Sequence, residues 1–176
     1  MSKVYFISDL HFGHKRIIEF SGEYRTGDTW EENAEVLVDN WNSVVTKRDT
    51  VFVLGDVAFS RVGFEYVRRL KGNLRLIMGN HDQFKSAKYL EVFNSIHGIM
   101  KYRGYWLTHC PIHPRELSHS NKMEKNIHGH VHANSIMTDK HWYDKNYINV
   151  CCEAINETPI SFADIDSGEY WNIKKC

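Results

Sequence analysis

The sequence predicts one mixed α/β domain over residues 1–176, and three observations lead there. Short apolar runs of strand length recur along the chain, and each stops at a cluster of Asp, Asn, His or Gly. Helical spacing alternates with those runs in the first half, while strands dominate the second. The length of 176 residues suits one domain, with 42% apolar and 25% charged residues, near ordinary globular values. A chain of this size buries on the order of 70% of its unfolded surface, enough for a real core.

The elements follow in order. Val4–Ile7 reads as a buried strand that stops at Ser8, Asp9 and His11. Thr29 with Glu32 forms a capping box, and Ala34, Leu37, Val38, Trp41, Val44 and Val45 follow at helical spacing. Thr50–Leu54 is a strand stopping at Gly55-Asp56, and Ser60–Leu70 is a second helix with Phe64, Val67 and Leu70 on one face. Leu74–Met78 is a strand stopping at Gly79-Asn80-His81-Asp82, and Lys85–Phe93 a third helix. Tyr105–Thr108 stops at His109-Cys110, Asn126–His128 enters Gly129-His130-Val131-His132, and Tyr147–Cys152 is a further strand. Three prolines and no Gly/Ser tract leave no linker, repeat or low-complexity segment.

Charge and cysteine usage narrow the function. Lys plus Arg and Asp plus Glu are 22 each, so the net charge is zero. That argues against coating long nucleic acid by charge alone and gives no sign of sequence-specific nucleic-acid binding, yet permits an enzyme acting on a nucleotide. Cys110, Cys151, Cys152 and Cys176 form neither a disulfide framework nor a zinc-knuckle spacing. The opening MSKVYFISD lacks a signal peptide's long apolar region, and no apolar stretch approaches the roughly 18 residues of a membrane span. A soluble, cytoplasmic protein of a reducing compartment is expected.

Eleven histidines are the unusual number. The strand ends supply Asp9, His11, Asp56, Asn80, His109, His130 and His132, at the sheet edge where α/β proteins bind ligands. Asp9 and His11, two apart, share a face on an extended backbone, and His130 and His132 repeat the pattern. Imidazoles, carboxylates and an amide oxygen suit Mn, Fe, Zn or Ni better than Mg or Ca. Seven donors exceed what one open transition-metal site uses and suit two ions sharing a carboxylate, for which Asp56 is the expected bridge. Two ions about 3.5–4 Å apart clamp a phosphoryl group and make hydroxide available near neutral pH. The departing alkoxide then needs a proton. His81, next to Asn80, is the expected donor, with Asp82 orienting it.

These residues carry a resemblance. Asp9-Leu10-His11, Gly55-Asp56, Gly79-Asn80-His81-Asp82, His109 and Gly129-His130-Val131-His132, in this order and each after a strand, resemble the calcineurin-like metallophosphoesterase family. Asp9-Leu10-His11-Phe12-Gly13-His14, Asn40-Trp41-Asn42 and Thr158-Pro159-Ile160-Ser161 extend the similarity, which runs to about Ile165. The resemblance implies a four-layer α-β-β-α sandwich of two mixed β-sheets flanked by helices. It also implies that Asp9, His11, Asp56 and His132 hold one metal and Asp56, Asn80, His109 and His130 the other, with His81 on the phosphate. Cys110 and the Cys151-Cys152-Glu153 stretch depart from the pattern without removing a ligand.

Around this set, His14, Arg25 and His113 are expected to contact substrate, Arg25 because a guanidinium fork matches phosphate. His128 alternates onto the same side as His130 and His132, but an ion pair already supplied with donors leaves it no ligand role. His97, His119 and His141 are expected at the surface or in loops, and Tyr102, Tyr105 and Trp106 in or beside the core. The functional expectation is a phosphodiesterase with two divalent ions, Mn foremost, on a small phosphodiester or nucleotide. A phosphomonoesterase is the alternative. A non-hydrolytic scaffold on the same fold would be expected to lose His81 or ligands, and this chain retains them.

Overall fold

The computed structural model describes residues 2–119, 122–140 and 142–173; His141 and Cys176 lie outside them, as does the side chain of His119. In chain order the elements are β1 (Val4–Ile7), α1 (Ile17–Ser21), α2 (Trp30–Val44), β2 (Thr50–Val53), α3 (Arg61–Val67), β3 (Asn73–Ile77), α4 (Ser86–Tyr89), β4 (Ser95–His97), β5 (Met100–Tyr102), β6 (Tyr105–Leu107), β7 (Ser118–His119), β8 (Lys122–Met123), β9 (Lys125–His128), β10 (Tyr147–Asn149), β11 (Ile160–Ser161), α5 (Phe162–Ser167) and α6 (Tyr170–Ile173). One sheet runs β11-β1-β2-β3-β4, and a second β10-β9-β6-β5. Each is mixed: β1 to β4 are parallel with β11 antiparallel on the edge, and β10, β9 and β6 are parallel with β5 antiparallel. This is the expected α/β class, two mixed sheets with flanking helices.

Strand alternation explains the layers. Tyr5 points its hydroxyl to the Val44 carbonyl at the end of α2, 2.9 Å away. Its neighbour Phe6 faces the other way, stacked on Phe52 of β2 at 5.4 Å and edge-on to Tyr102 of the second sheet at 6.1 Å. The core between the sheets is therefore aromatic, and Tyr102 and Tyr105 belong to it as expected. Trp106 is half-buried, and its indole N–H donates to the Glu116 carbonyl.

α2 starts where the sequence indicates. The Thr29 hydroxyl accepts the Glu32 amide at 3.2 Å, but the Glu32 carboxylate takes the Asp28 amide, so the box closes one residue earlier than drawn. Ala34, Leu37, Val38 and Trp41 are buried, and the Trp41 indole N–H reaches the Lys71 carbonyl. Asn42 and Asn40 donate to the Arg69 and Glu157 carbonyls, so Asn40-Trp41-Asn42 ties α2 to two distant loops. Ser60 caps α3 through the Gly63 amide. The expected third helix shrinks to the four residues of α4.

The strands converge on one edge. Just past β1 and β10, Ser8 pairs with Cys151: the Ser8 amide donates to the Val150 carbonyl at 2.8 Å, and the Cys152 amide to the Ser8 carbonyl at 3.1 Å. The two sheets thus join where the polar clusters begin. Among the described residues no helix is long and apolar enough to cross a membrane.

Candidate metal centre

All seven expected ligands come from loops that leave the C-terminal ends of β1, β2, β3, β6 and β9. Those loops fit together only because glycines sit at their crossings. Gly55 has φ +91°, and a Cβ there would lie 2.6 Å from both the Gly79 Cα and the His109 Nδ1. A Cβ on Gly129 would strike the Ser8 hydroxyl and the Asp9 carboxylate. Glycine is what lets these backbones approach.

The donors meet around Asp56. His11 Nε2 lies 3.7 Å and His109 Nε2 3.5 Å from Asp56 Oδ2, and His11 Nε2 is 3.5 Å from Asp9 Oδ1. Asn80 Oδ1 lies 2.8 Å from His109 Nε2 and 3.0 Å from His130 Nδ1. His132 groups with Asp9 and His11, and Asp9 also with Asp56 and His109. The expected set is thus brought into one cluster, with Asp56 between its halves.

The hydrogen bonds around the cluster fix the state of some of its donors. His109 Nδ1 sits 2.7 Å from the Leu54 carbonyl, which only accepts, so a neutral ring carries its proton there and Nε2 presents a lone pair. That lone pair faces the oxygens of Asp56 and Asn80. His130 Nδ1 and His109 Nε2 face each other at 3.3 Å. Asp9 Oδ1 and His11 Nε2 are buried without a hydrogen-bond partner. Ring nitrogens, carboxylates and an amide oxygen gathered this closely form a donor set that suits divalent first-row transition metals. Burial pushes the Asp9 carboxyl up, but the neighbouring His11 ring and the Ser8 hydroxyl that donates to it outweigh burial and hold it below the usual range.

A second layer locks the donors. Glu153, in the turn after β10, accepts from His132 Nδ1 at 2.9 Å, leaving Nε2 as that ring's lone pair. The fully buried Arg25 pairs with Glu153 at 2.8 Å and also donates to the carbonyls of Asp9 (2.5 Å) and Leu10 (3.2 Å). Burial raises the Glu153 carboxyl, yet Arg25 and His132 bring it down to about 2. Asn149 donates to the carbonyls of His132 and Asn134, holding the same loop. The sequence reading notes Glu153 only within an unusual Cys151-Cys152-Glu153 stretch and gives it no role here, although its position just past a strand end, like that of the expected ligands, is a signal for one.

Three of the expected site residues make their contacts elsewhere. Arg25 has no face left for phosphate, because its guanidinium is spent on Glu153, Asn33 and two loop carbonyls. Asp82 does not orient the His81 ring: its carboxylate accepts the amides of Asp56, Gly79 and Val57 and the Tyr89 hydroxyl, clamping the β2 and β3 loops together. Burial raises its pKa above the usual value. His113 caps the 3₁₀ turn Pro114–Leu117 by accepting the Arg115 amide, and lines neither cavity beside the cluster.

The remaining histidines separate clearly. His81 is exposed at the cluster's edge, its amide donating to Asp56 Oδ1 at 2.9 Å. His14 lies against Phe59, ring centroids 4.6 Å apart, and lines the cavity with His11, His81 and His132. His128 is buried against Tyr147, outside the ligand groups. His97 is half-buried in β4, bonded to Ser95. The exposed Cys110 brings its sulfur to the ring nitrogens of His109 and His130, a soft donor at one end of the cluster.

Residues 2–158 match the family model described as calcineurin-like phosphoesterase. The chain belongs to that family. This phosphoesterase is 35% identical over 170 residues to the uncharacterised protein MJ1445 of Methanocaldococcus jannaschii, covering 92% of the chain and 88% of that protein. It is 40% identical over 87 residues to the Gene 66 protein of Mycobacterium phage L5, covering 47% of the chain and 41% of that protein. The crystal structure of AQ665 from Aquifex aeolicus superposes with a TM-score of 0.73 at 30% identity, over 95% of this chain and 99% of that one. The family supports a metal-dependent phosphoesterase, a hydrolase that uses divalent metals, and the clustered donors fit that chemistry.

Proposed function

We propose that this phosphoesterase is a two-metal phosphodiesterase acting on a nucleotide or related phosphodiester, with Mn as the preferred metal and Asp9, His11, Asp56, Asn80, His109, His130 and His132 as ligands. The observation that carries the choice of diester is the charge of the walls. Among the described residues, no Lys or Arg lines either cavity beside the cluster. A phosphomonoester arrives near neutral pH as roughly a dianion, and its extra charge calls for a cationic clamp. A diester carries one negative charge, which metals alone neutralise. Arg25, the one basic residue nominated for phosphate, is turned into the protein.

These donors would hold divalent ions, whose chemistry here would be Lewis-acid activation of phosphate and water near neutral pH. The chain's own residues do the rest. Asp56, facing donors on both sides, holds the two halves of the site in one register. Glu153 keeps His132 in the tautomer that presents Nε2. His81, exposed beside the cluster, gives its imidazole proton to the departing oxygen.

Hydrolysis of bis-p-nitrophenyl phosphate and p-nitrophenyl phosphate by metal-stripped protein, with Mn, Ni, Zn or Mg restored singly, tests this reading. A higher kcat/KM on the diester with Mn is expected. Faster turnover of the monoester would overturn the choice of diester.

A further inference from the structure

Beside the cluster, on the His11 and His81 side, opens a cavity of about 390 Å³ that extends past the donors to residues the metal chemistry does not use. Ile17, Phe20 and Ser21 of α1 form one wall, and Phe59 the other. Phe59 lies over the His11 ring, centroids 5.0 Å apart and planes 25° from parallel, and 5.0 Å from the His81 ring. Phe20 is 63% exposed, an aromatic left in water at the rim of a site. The Arg16 guanidinium lies over its ring, 4.6 Å from the centre, and covers one face, leaving the other for a ligand. His14, between the two phenylalanines at 4.6 and 5.9 Å, has a buried Nδ1 with no hydrogen-bond partner.

We infer that this cavity is the subsite for the nucleobase of a nucleoside phosphodiester, with Phe20 and Phe59 stacking on the base and the His14 imidazole at its polar edge. The inference rests on the phosphodiesterase reading and names its substrate class. An alkyl group would satisfy the aromatic walls and leave His14 unpaired. A bare sugar would pair with His14 and gain little from two phenyl faces. A base offers both a π-face and polar edges, and the volume lies in the range of small-molecule sites. The base would stand one sugar away from the scissile phosphate, and the cavity shares His11, His81 and His132 with the metal cluster.

Thymidine 5′-(p-nitrophenyl phosphate) and methyl p-nitrophenyl phosphate share a leaving group and differ in the nucleoside, so their kcat/KM ratio isolates this subsite. We expect a ratio of roughly 5- to 150-fold, the range of base stacking on aromatic side chains. Phe20→Ala should bring the ratio toward one, and Phe20→Trp should keep it. Calorimetry supplies an independent readout: adenosine 5′-monophosphate should bind more tightly than ribose 5-phosphate, and Phe20→Ala should narrow the gap. A methyl diester turned over as well as the thymidine diester overturns the subsite and leaves the phosphodiesterase reading standing. So does a ratio unmoved by Phe20→Ala. Failure to hydrolyse either diester overturns both.

Discussion

Asp9, His11, Asp56, His130 and His132 all have φ between 51° and 73°, in the left-handed region that side chains with a Cβ avoid. Each such residue costs roughly 1–3 kcal/mol. Strain gathered on five of seven expected ligands, out of eight non-glycine residues with positive φ among those described, marks this edge as built for chemistry. The side chains that gather here were legible in the sequence, because an Asp, Asn or His right after a strand run is visible in one dimension. The conformation was not. Period-two alternation places Asp9 and His11 on one face of an extended chain, whereas the left-handed turns aim them, and only the crossing of several loops forces such turns. His81 belongs at this scale too. His81→Ala should lower kcat by on the order of 10²–10⁴ while the metal content stays near wild type. Loss of metal in that variant would make His81 a support for the ligands and leave the proton donor unidentified.

At the scale of elements, the turn after β10 acts as the bracket of the site. Glu153 and Arg25, 128 residues apart in sequence, form a buried pair that reaches His132 on one side and the Asp9 loop on the other. Nothing local in the sequence announces a contact of that range. A lone Arg near an expected phosphate site reads as a phosphate ligand until its partner is seen. Arg25→Ala should therefore appear as lost stability, about 3–5 kcal/mol for an orphaned buried charge, with weakened metal affinity and no selective rise in KM. A rise in KM at unchanged stability would restore the phosphate role. The same pair sets an acid limit. The Glu153 carboxyl falls from an ordinary 4.5 to about 2 on folding, so the unfolded chain binds the extra proton between those values. Its contribution is present above about 4.5 and is lost as pH falls through about 2. Acid unfolding of the metal-free protein should show this slope, and Glu153→Gln should flatten it.

Across the whole molecule, the fold class was legible because strand runs and capped helices are local signals: β1, β2, α2 and α3 all appear within a few residues of their expected bounds. β4, β5 and β11 were not foreseen. They are two or three residues long and hold their place by pairing with β3, β6 and β1 rather than by their own pattern. The loops of both sheets converge on donors whose lone pairs face one another, so divalent metal should tie the sheets together. Removing metal should lower Tm, and adding it back should raise Tm with concentration, as binding to the native state alone requires. An unchanged Tm would mean that the donors are satisfied without cations.

The central claim is that two ions share this cluster through Asp56, and counting them tests it most directly. Metal-stripped protein titrated with Mn and analysed for bound metal after dialysis should hold two equivalents per chain, and Asp56→Asn should lose occupancy at both positions. One equivalent in the wild type, or two retained by Asp56→Asn, would contradict the account.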